Sequence, residues 1–185
     1  MIKKLKLGKK IDRKMLEKAS FQVRIYASQI LEKVTFGKKR EVELKVMSVA
    51  ELGFKAWTKY SDICAKIKEL GYELCPAEVG PALRMAYKDQ PLGEWLRIAM
   101  EPLVDSGGVL NVFCVGRDSV GLYLISYRGV SDARCNPSGR FVCVVSRKSG
   151  RLAPLELDTS ELYGLNERVK ELELDMKKLR EFINF

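Results

Sequence analysis

The densest group of side chains that could do acid–base chemistry lies between residues 78 and 101. The group consists of Glu78, Arg84, Asp89, Glu94, Arg97 and Glu101. Glu78 is the most attractive member, because two prolines and a glycine interrupt its segment and functional groups often lie on irregular segments. We treat Glu78, Arg84 and Glu94 as weak catalytic candidates. A Glu78–Arg84 salt bridge that holds the segment in place is the commoner role for such a pair.

The same carboxylates offer only a weak prospect of metal chemistry. A magnesium site could use Glu78, Asp89 and Glu94, but their spacing is not diagnostic. Glu94 and Glu101 are an odd number of residues apart, so on one strand they would face opposite sides. The chain has no histidine, which excludes Ser–His and Cys–His nucleophiles and histidine-ligated metals. We therefore expect no metal and no cofactor, and we favour a protein that is not an enzyme.

The cysteines indicate packing rather than chemistry. There are five, an odd number, and no two of them have CxxC spacing. Their positions are Cys64, Cys75, Cys114, Cys135 and Cys143. We expect reduced thiols that pack as small apolar side chains in a cytoplasmic protein.

Positive charge is concentrated at the start of the chain. The formal net charge is +9, and residues 1–40 hold 13 Lys and Arg against 3 Asp and Glu. Such asymmetry is typical of proteins that contact nucleic acid or another polyanion, although a merely solubilising surface would look the same. The candidate nucleic-acid-binding residues are Lys3, Lys4, Lys6, Lys9, Lys10, Arg13, Lys14, Lys38, Lys39 and Arg40. Stacking surfaces for unpaired bases could come from Trp57, Trp95, Tyr123 and Tyr127, although aromatic residues on strands more often belong to the core.

The elements that must position these residues follow from periodicity and turn signals. Helical patterns are predicted over 12–19, 24–34 and 59–70, and strands over 41–49, 83–87, 94–100, 109–115, 122–127 and 140–145. This order predicts an α+β fold, with N-terminal helices packed on a mainly antiparallel sheet and a C-terminal coiled-coil helix. The expected divisions are a basic helical segment over 1–40, an α+β core domain over 41–148, a linker over 149–158 and a heptad helix over 159–185.

The C-terminal segment carries apolar residues spaced alternately three and four apart, which is the a/d repeat of a coiled coil. The repeat consists of Leu162, Leu165, Val169, Leu172, Met176, Leu179 and Ile183. We expect it to hold a homodimer together. The alternatives are that it packs on its own domain or binds another protein.

Three segments carry a resemblance to a known family: the opening IKKLKLG, the run LCPAEVGPALR and the run QPLGEWLRIAMEP. Over roughly residues 1–148 the chain resembles a family of small bacterial proteins for which no activity is established. The resemblance implies a bacterial cytoplasmic setting and a compact domain, and it transfers no catalytic residue.

These observations favour a non-enzymatic, homo-oligomeric binding or scaffold protein that contacts nucleic acid through its basic N-terminal segment. No apolar run approaches the ~18 residues of a membrane span and no secretory leader is evident, so we expect a cytoplasmic protein without a membrane partner. The alternatives are a carboxylate- or metal-dependent enzyme centred on Glu78, and an accessory subunit of a larger complex.

Overall fold

Strands rather than helices make up most of the fold. The computed structural model describes residues 2–146, with side chains from residue 4 onwards. Within these residues the strands are β1 (Ile2–Leu7), β2 (Gln22–Val23), β3 (Arg40–Ser48), β4 (Thr58–Lys59), β5 (Tyr72–Glu73), β6 (Trp95–Ile98), β7 (Leu103–Val104), β8 (Leu110–Arg117), β9 (Leu122–Arg128), β10 (Arg134–Cys135) and β11 (Arg140–Val145). The helices are short, namely α1 (Arg13–Lys18), α2 (Ile25–Leu31), α3 (Tyr60–Glu69) and α4 (Val79–Ala86).

One sheet carries nearly all the strands. Its order is β1-β3-β11-β6-β8-β9-β2, with β5 also paired to β11 and β7 to β8. Most neighbours are antiparallel, but β11 and β6 run parallel, as do β2 and β9. Strands β10 and β4 form a separate antiparallel pair.

The sheet curls around helix α4. This helix packs against β1 at one end of the strand order and against β8 and β9 near the other end. A helix can reach both only if the sheet bends towards it, so the seven-strand path forms a half-barrel with α4 inside. Val79, Ala82 and Leu83 of α4 are buried there.

The predicted fold class is wrong, because the described chain is mostly strands with few short helices. The first residues, expected to belong to a basic helical segment, form edge strand β1, in which exposed Lys4 and Lys6 alternate with buried Leu5 and Leu7. That alternation has the period of a strand, and its partner β3 lies more than thirty residues further along the chain. The predicted coiled-coil helix falls on residues 159–185, outside the described residues, so the structure gives it no support.

The strand predicted over 83–87 is also wrong, because these residues belong to helix α4 and its C-terminal cap. Gly80 and Pro81 look like helix breakers, but both lie in the first turn. A proline there removes no helical hydrogen bond, since the first N–H groups have no partner within the helix.

Other predictions are confirmed. The strand predicted over 41–49 corresponds to β3, and the helix predicted over 59–70 corresponds to α3. Helix α3 buries Ile63 and Ile67 on one side, and Gly71 follows it with a φ of +81°. Within the described residues, no helix has the length and apolar character that crossing a membrane requires.

Candidate functional site

The polar residues singled out between 78 and 101 do not meet in one centre. Glu78, Arg84 and Glu94 each have their own partners in different parts of the half-barrel. Glu101 is exposed beside Lys68, at 3.7 Å, and Asp89 is exposed in the loop after α4. Sequence proximity therefore did not translate into a shared site.

Glu78 is a buried anchor. Its side chain is 2% exposed, Arg40 contacts its Oε1 at 2.6 Å, and the Gly8 N–H donates to its Oε2 at 3.0 Å. Gly8 has a φ of +87°, and a Cβ there would lie 2.5 Å from the backbone of Lys38, so the turn requires glycine. Both carboxylate oxygens are thus occupied in joining α4 to the end of β1 and the start of β3. This arrangement fits a structural role better than acid–base chemistry.

Arg84 is fully buried and contacts no carboxylate among the described residues. Its Nη1 donates to the Gln90 Oε1 at 2.6 Å and to the carbonyl oxygen of Gly116 at 3.2 Å, and its Nη2 donates to the carbonyl of Tyr87. Burial lowers the pKa of its guanidinium to about 10. The side chain joins α4 to β8 and to the loop that follows α4. The salt bridge that was expected between Arg84 and Glu78 does not form.

Glu94 lies on the concave side of the sheet, where Arg140 donates to its Oε1 at 2.6 Å. The Tyr87 hydroxyl lies beside the same carboxylate. Burial, and secondly hydrogen bonding to Glu94, raise the pKa of Tyr87 to about 12. A phenol with so high a pKa is a weak acid near neutral pH. The cavity beside this cluster, bordered by Leu83 and Leu96, has room for about one water molecule.

Neither metal ligation nor thiol chemistry stands out in the described part of the chain. No group of three or more His, Cys, Asp or Glu there could hold a metal ion. All five cysteines are free, and four are buried. Burial raises the pKa of each thiol. Such thiols react slowly.

The predicted basic residues whose side chains the structure describes divide into three groups. Arg13 pairs with Glu17 on α1, and Arg40 pairs with Glu78, so each of these charges already has an ionic partner. A second group, consisting of Lys4, Lys6, Lys9 and Lys39, has no ion pair with any described residue and is exposed. Lys10, Lys14 and Lys38 are exposed elsewhere in the first forty residues. The side chain of Lys3 lies outside the part of the chain that the structure describes.

The second lysine group surrounds a groove of about 870 Å³, here called the β1 groove. Its cationic lining is Lys4, Lys6, Lys9, Lys39 and Arg40, and its apolar lining is Leu5, Leu7, Ile11, Met15, Ala82, Met85 and Ala86. Glu41 also borders it. A smaller cavity of about 190 Å³ shares Leu5 and Ala86 with the groove and extends along α4 to Leu83 and Tyr87.

The β1 groove runs along the edge of a strand. Four consecutive residues of β1, from 4 to 7, line it. Neighbouring residues of a strand point to opposite faces, so only the strand's edge presents four in a row. No described strand pairs with this edge, because β1 is the last strand of the sheet. The backbone N–H and C=O groups of β1 that do not pair with β3 therefore lie along the groove.

Sequence reasoning found the lysines of this site but not its apolar floor. Ala82, Met85 and Ala86 come from α4, of which residues 83–86 were expected to belong to a strand. The available signal was the alternation of lysine and leucine in IKKLKL, which is typical of an edge strand with one solvent-exposed face.

The four candidate stacking residues also differ in position. Trp95 packs on Tyr123 with ring centroids 6.1 Å apart, and Tyr123 is buried. The Tyr127 ring lies 4.3 Å from the guanidinium carbon of Arg97 and is partly exposed. Trp57 is 62% exposed.

Comparison of the chain with protein-family models, with curated proteins and with solved structures found no match.

Proposed function

We propose that the chain is a non-enzymatic binding protein that takes an extended acidic peptide segment in the β1 groove. The observation that carries this proposal is an unpaired strand edge beside an apolar helix face, bordered by lysines that have no described ionic partner. An extended peptide can add to such an edge through main-chain hydrogen bonds, while neighbouring pockets take alternate side chains.

The pairing on the other edge of β1 supports an occupant that alternates acidic and apolar residues. Strand β3 presents Glu41, Val42 and Glu43 to it, and the antiparallel register sets Lys6 opposite Glu41 and Lys4 opposite Glu43. Directly opposite residues on one face interact, and opposite charges stabilise the pair. A second strand that alternates acidic and apolar residues would place the same opposite charges beside Lys4 and Lys6 on the open edge.

A second copy of β1 is a poor occupant of the same edge. Pairing β1 with itself would bring its lysines together, and like charges across strands are destabilising. Lysines on an edge strand also commonly protect it from aggregation. Protection alone does not account for the apolar floor formed by Met15, Met85 and their neighbours.

The test is a peptide titration of the full chain at low ionic strength. The probe is a capped, fluorescein-labelled peptide of sequence Glu-Val-Glu-Leu-Glu-Val, followed by fluorescence anisotropy. The double variant Lys9→Glu/Lys39→Glu reverses two charges at the groove. We expect it to weaken binding by about 1–2 kcal/mol, or ~5- to 30-fold, because each exposed charge pair contributes up to about 1 kcal/mol.

A matched control is the double variant Lys10→Glu/Lys38→Glu, which makes the same charge change at exposed neighbours outside the groove. It should bind the peptide nearly as well as the parent chain.

Ala86→Trp should block the groove, since Ala86 is exposed within it. N-methylation of the peptide amides that face β1 should abolish binding, and methylation of the alternate amides should not. Equal loss in both charge variants, or no binding at about 1 mM peptide, would overturn the proposal.

The other expectations bear on the same experiment. Nucleic acid at the N-terminal lysines is the competing outcome, and it predicts that an oligonucleotide displaces the peptide. An enzyme centred on Glu78 would need a carboxylate that is not already held by Arg40 and Gly8. Light scattering on the peptide complex gives the mass of the assembly, and a monomer would contradict the expected homodimer and favour an accessory subunit.

A further inference from the structure

Trp57 is a large apolar side chain in an exposed position. At 62% exposure, its indole ring leaves most of its surface in water. Trp57 directly precedes β4, in which Thr58 is buried and Lys59 is exposed. Ala56, on its other side, is exposed as well, so Trp57 ends an exposed stretch that leads into the strand.

The strand pair beside Trp57 brings two positive charges together. Lys59 of β4 lies directly opposite Arg134 of β10, and both are exposed. Like charges in this position are destabilising. Neither makes an ion pair with a described residue, and the same holds for exposed Lys55, two residues before Trp57. The acidic residues closest along the chain, Glu51, Asp62 and Asp132, do not outnumber these three cations, and Glu51 is held by the backbone and side chain of Ser48.

A second aromatic ring is connected to the same strand pair. Arg97 donates to the Cys135 Sγ at 2.7 Å, and its guanidinium carbon lies 4.3 Å from the centroid of the Tyr127 ring. Cys135 follows Arg134 in β10, and exposed Arg128 follows Tyr127 in β9. Because Cys135 is buried whereas Arg134 is exposed, Arg97 and the Tyr127 ring approach the strand pair from the face opposite to Lys59 and Arg134, so Tyr127 is not counted as part of the surface around Trp57.

We propose that the Trp57 surface, defined by Lys55, Trp57, Lys59 and Arg134, binds single-stranded nucleic acid. A base would stack on the indole ring, and the three cations would contact the phosphates on either side. In a duplex the faces of the bases are already stacked, so the surface selects unpaired strands. A protein partner would bury Trp57 among apolar neighbours, whereas the residues here are charged. This site is separate from the β1 groove and does not depend on it.

The test uses the fluorescence of Trp57 in the full chain. The chain has two tryptophans, so the variant Trp95→Phe leaves Trp57 as the only indole. The probe is a single-stranded oligothymidine of about ten nucleotides, with a duplex of the same length for comparison. Stacking should quench the indole emission with the single strand and not with the duplex. Contacts with three phosphates predict a slope of about −2 in log K against log salt.

Three variants decide the outcome. Trp57→Ala should weaken binding about tenfold or more, as expected for the loss of one stacked base. Lys59→Ala/Arg134→Ala should reduce the salt slope by about 1.4, whereas Lys10→Ala should leave it unchanged. Thermal unfolding checks that these surface variants fold. Absence of quenching at low salt overturns the inference, as does binding that survives Trp57→Ala but is lost in Lys9→Glu/Lys39→Glu. The acidic peptide should not compete with the oligonucleotide, which separates this result from that of the β1 groove.

Discussion

Single buried charges in this protein serve as connectors between elements. Glu78 joins α4 to the turns around Gly8 and Arg40, and Arg84 joins the same helix to β8. Glu78 accepts from a backbone N–H and pairs with a partly exposed arginine, and Arg84 donates to the buried Gln90 side chain and to backbone carbonyl groups. A buried charge loses its hydration, so such partners are required for it to be tolerated.

Removal of the Glu78 carboxylate should therefore cost stability. We expect Glu78→Ala to lower the free energy of unfolding by about 2–3 kcal/mol, because the Gly8 N–H and Arg40 lose their acceptor in a buried position. Glu78→Gln keeps an acceptor for Gly8 and should cost less. Urea denaturation measures both. The control is Glu17→Ala, which removes an exposed pair with Arg13 and should cost under about 0.5 kcal/mol. A Glu78→Ala variant as stable as the control would contradict the anchoring role.

At the level of elements, α4 has to approach the sheet closely to fit inside the curl. A Cβ on Gly80 would lie 2.5 Å from the Phe113 ring of β8. This contact accounts for a glycine in the first turn of a buried helix, where alanine has the better helix propensity. The distance between α4 and β8 thus depends on the absence of a Cβ at Gly80.

Gly80→Ala should destabilise the protein in spite of that propensity. Overpacking of this kind costs about 1–3 kcal/mol, and the gain in propensity offsets up to about 1 kcal/mol of it. Adding Phe113→Leu should restore part of the loss, because the smaller side chain makes room for the new methyl group. A double-mutant cycle by chemical denaturation gives the coupling energy. If the two changes are simply additive, the close approach does not decide the helix position.

At the level of the whole molecule, the half-barrel encloses groups from distant parts of the chain. Cys75, Cys114, Cys135 and Cys143 come from different elements or loops and are all buried. The thiols therefore report opening of the whole fold rather than of one segment.

We expect the native protein to react slowly with a thiol reagent such as 5,5′-dithiobis(2-nitrobenzoic acid). Burial raises the pKa of these thiols, so little thiolate is present near neutral pH. Only Cys64, which is half-buried, should react early, and all five should react at once in denaturant. The time course of thionitrobenzoate release measures this. Fast reaction of four or more thiols in the folded state would show that the half-barrel opens readily.

The local sequence pattern was sufficient to predict several of the strands and helices. The alternation in residues 41–49 and the amphipathic spacing of residues 59–70 predicted a strand and a helix, because each pattern depends on residues close in sequence. The absence of histidine excluded whole classes of catalysis, and the excess of lysine near the start of the chain marked the residues that border the β1 groove. Trp57 was also singled out from sequence as a stacking candidate.

Only the tertiary structure decided which of these residues act together. The pairing of β1 with β3, the parallel pairing of β11 with β6 and the position of α4 inside the curl all join residues far apart in the chain. Glu78 and Arg84, neighbours in sequence, were separated because burial gave each of them a different distant partner. Composition and periodicity indicate which secondary structure a single segment prefers. A groove or a stacking surface exists only where two segments lie side by side, and the packing of the whole chain determines which segments do so.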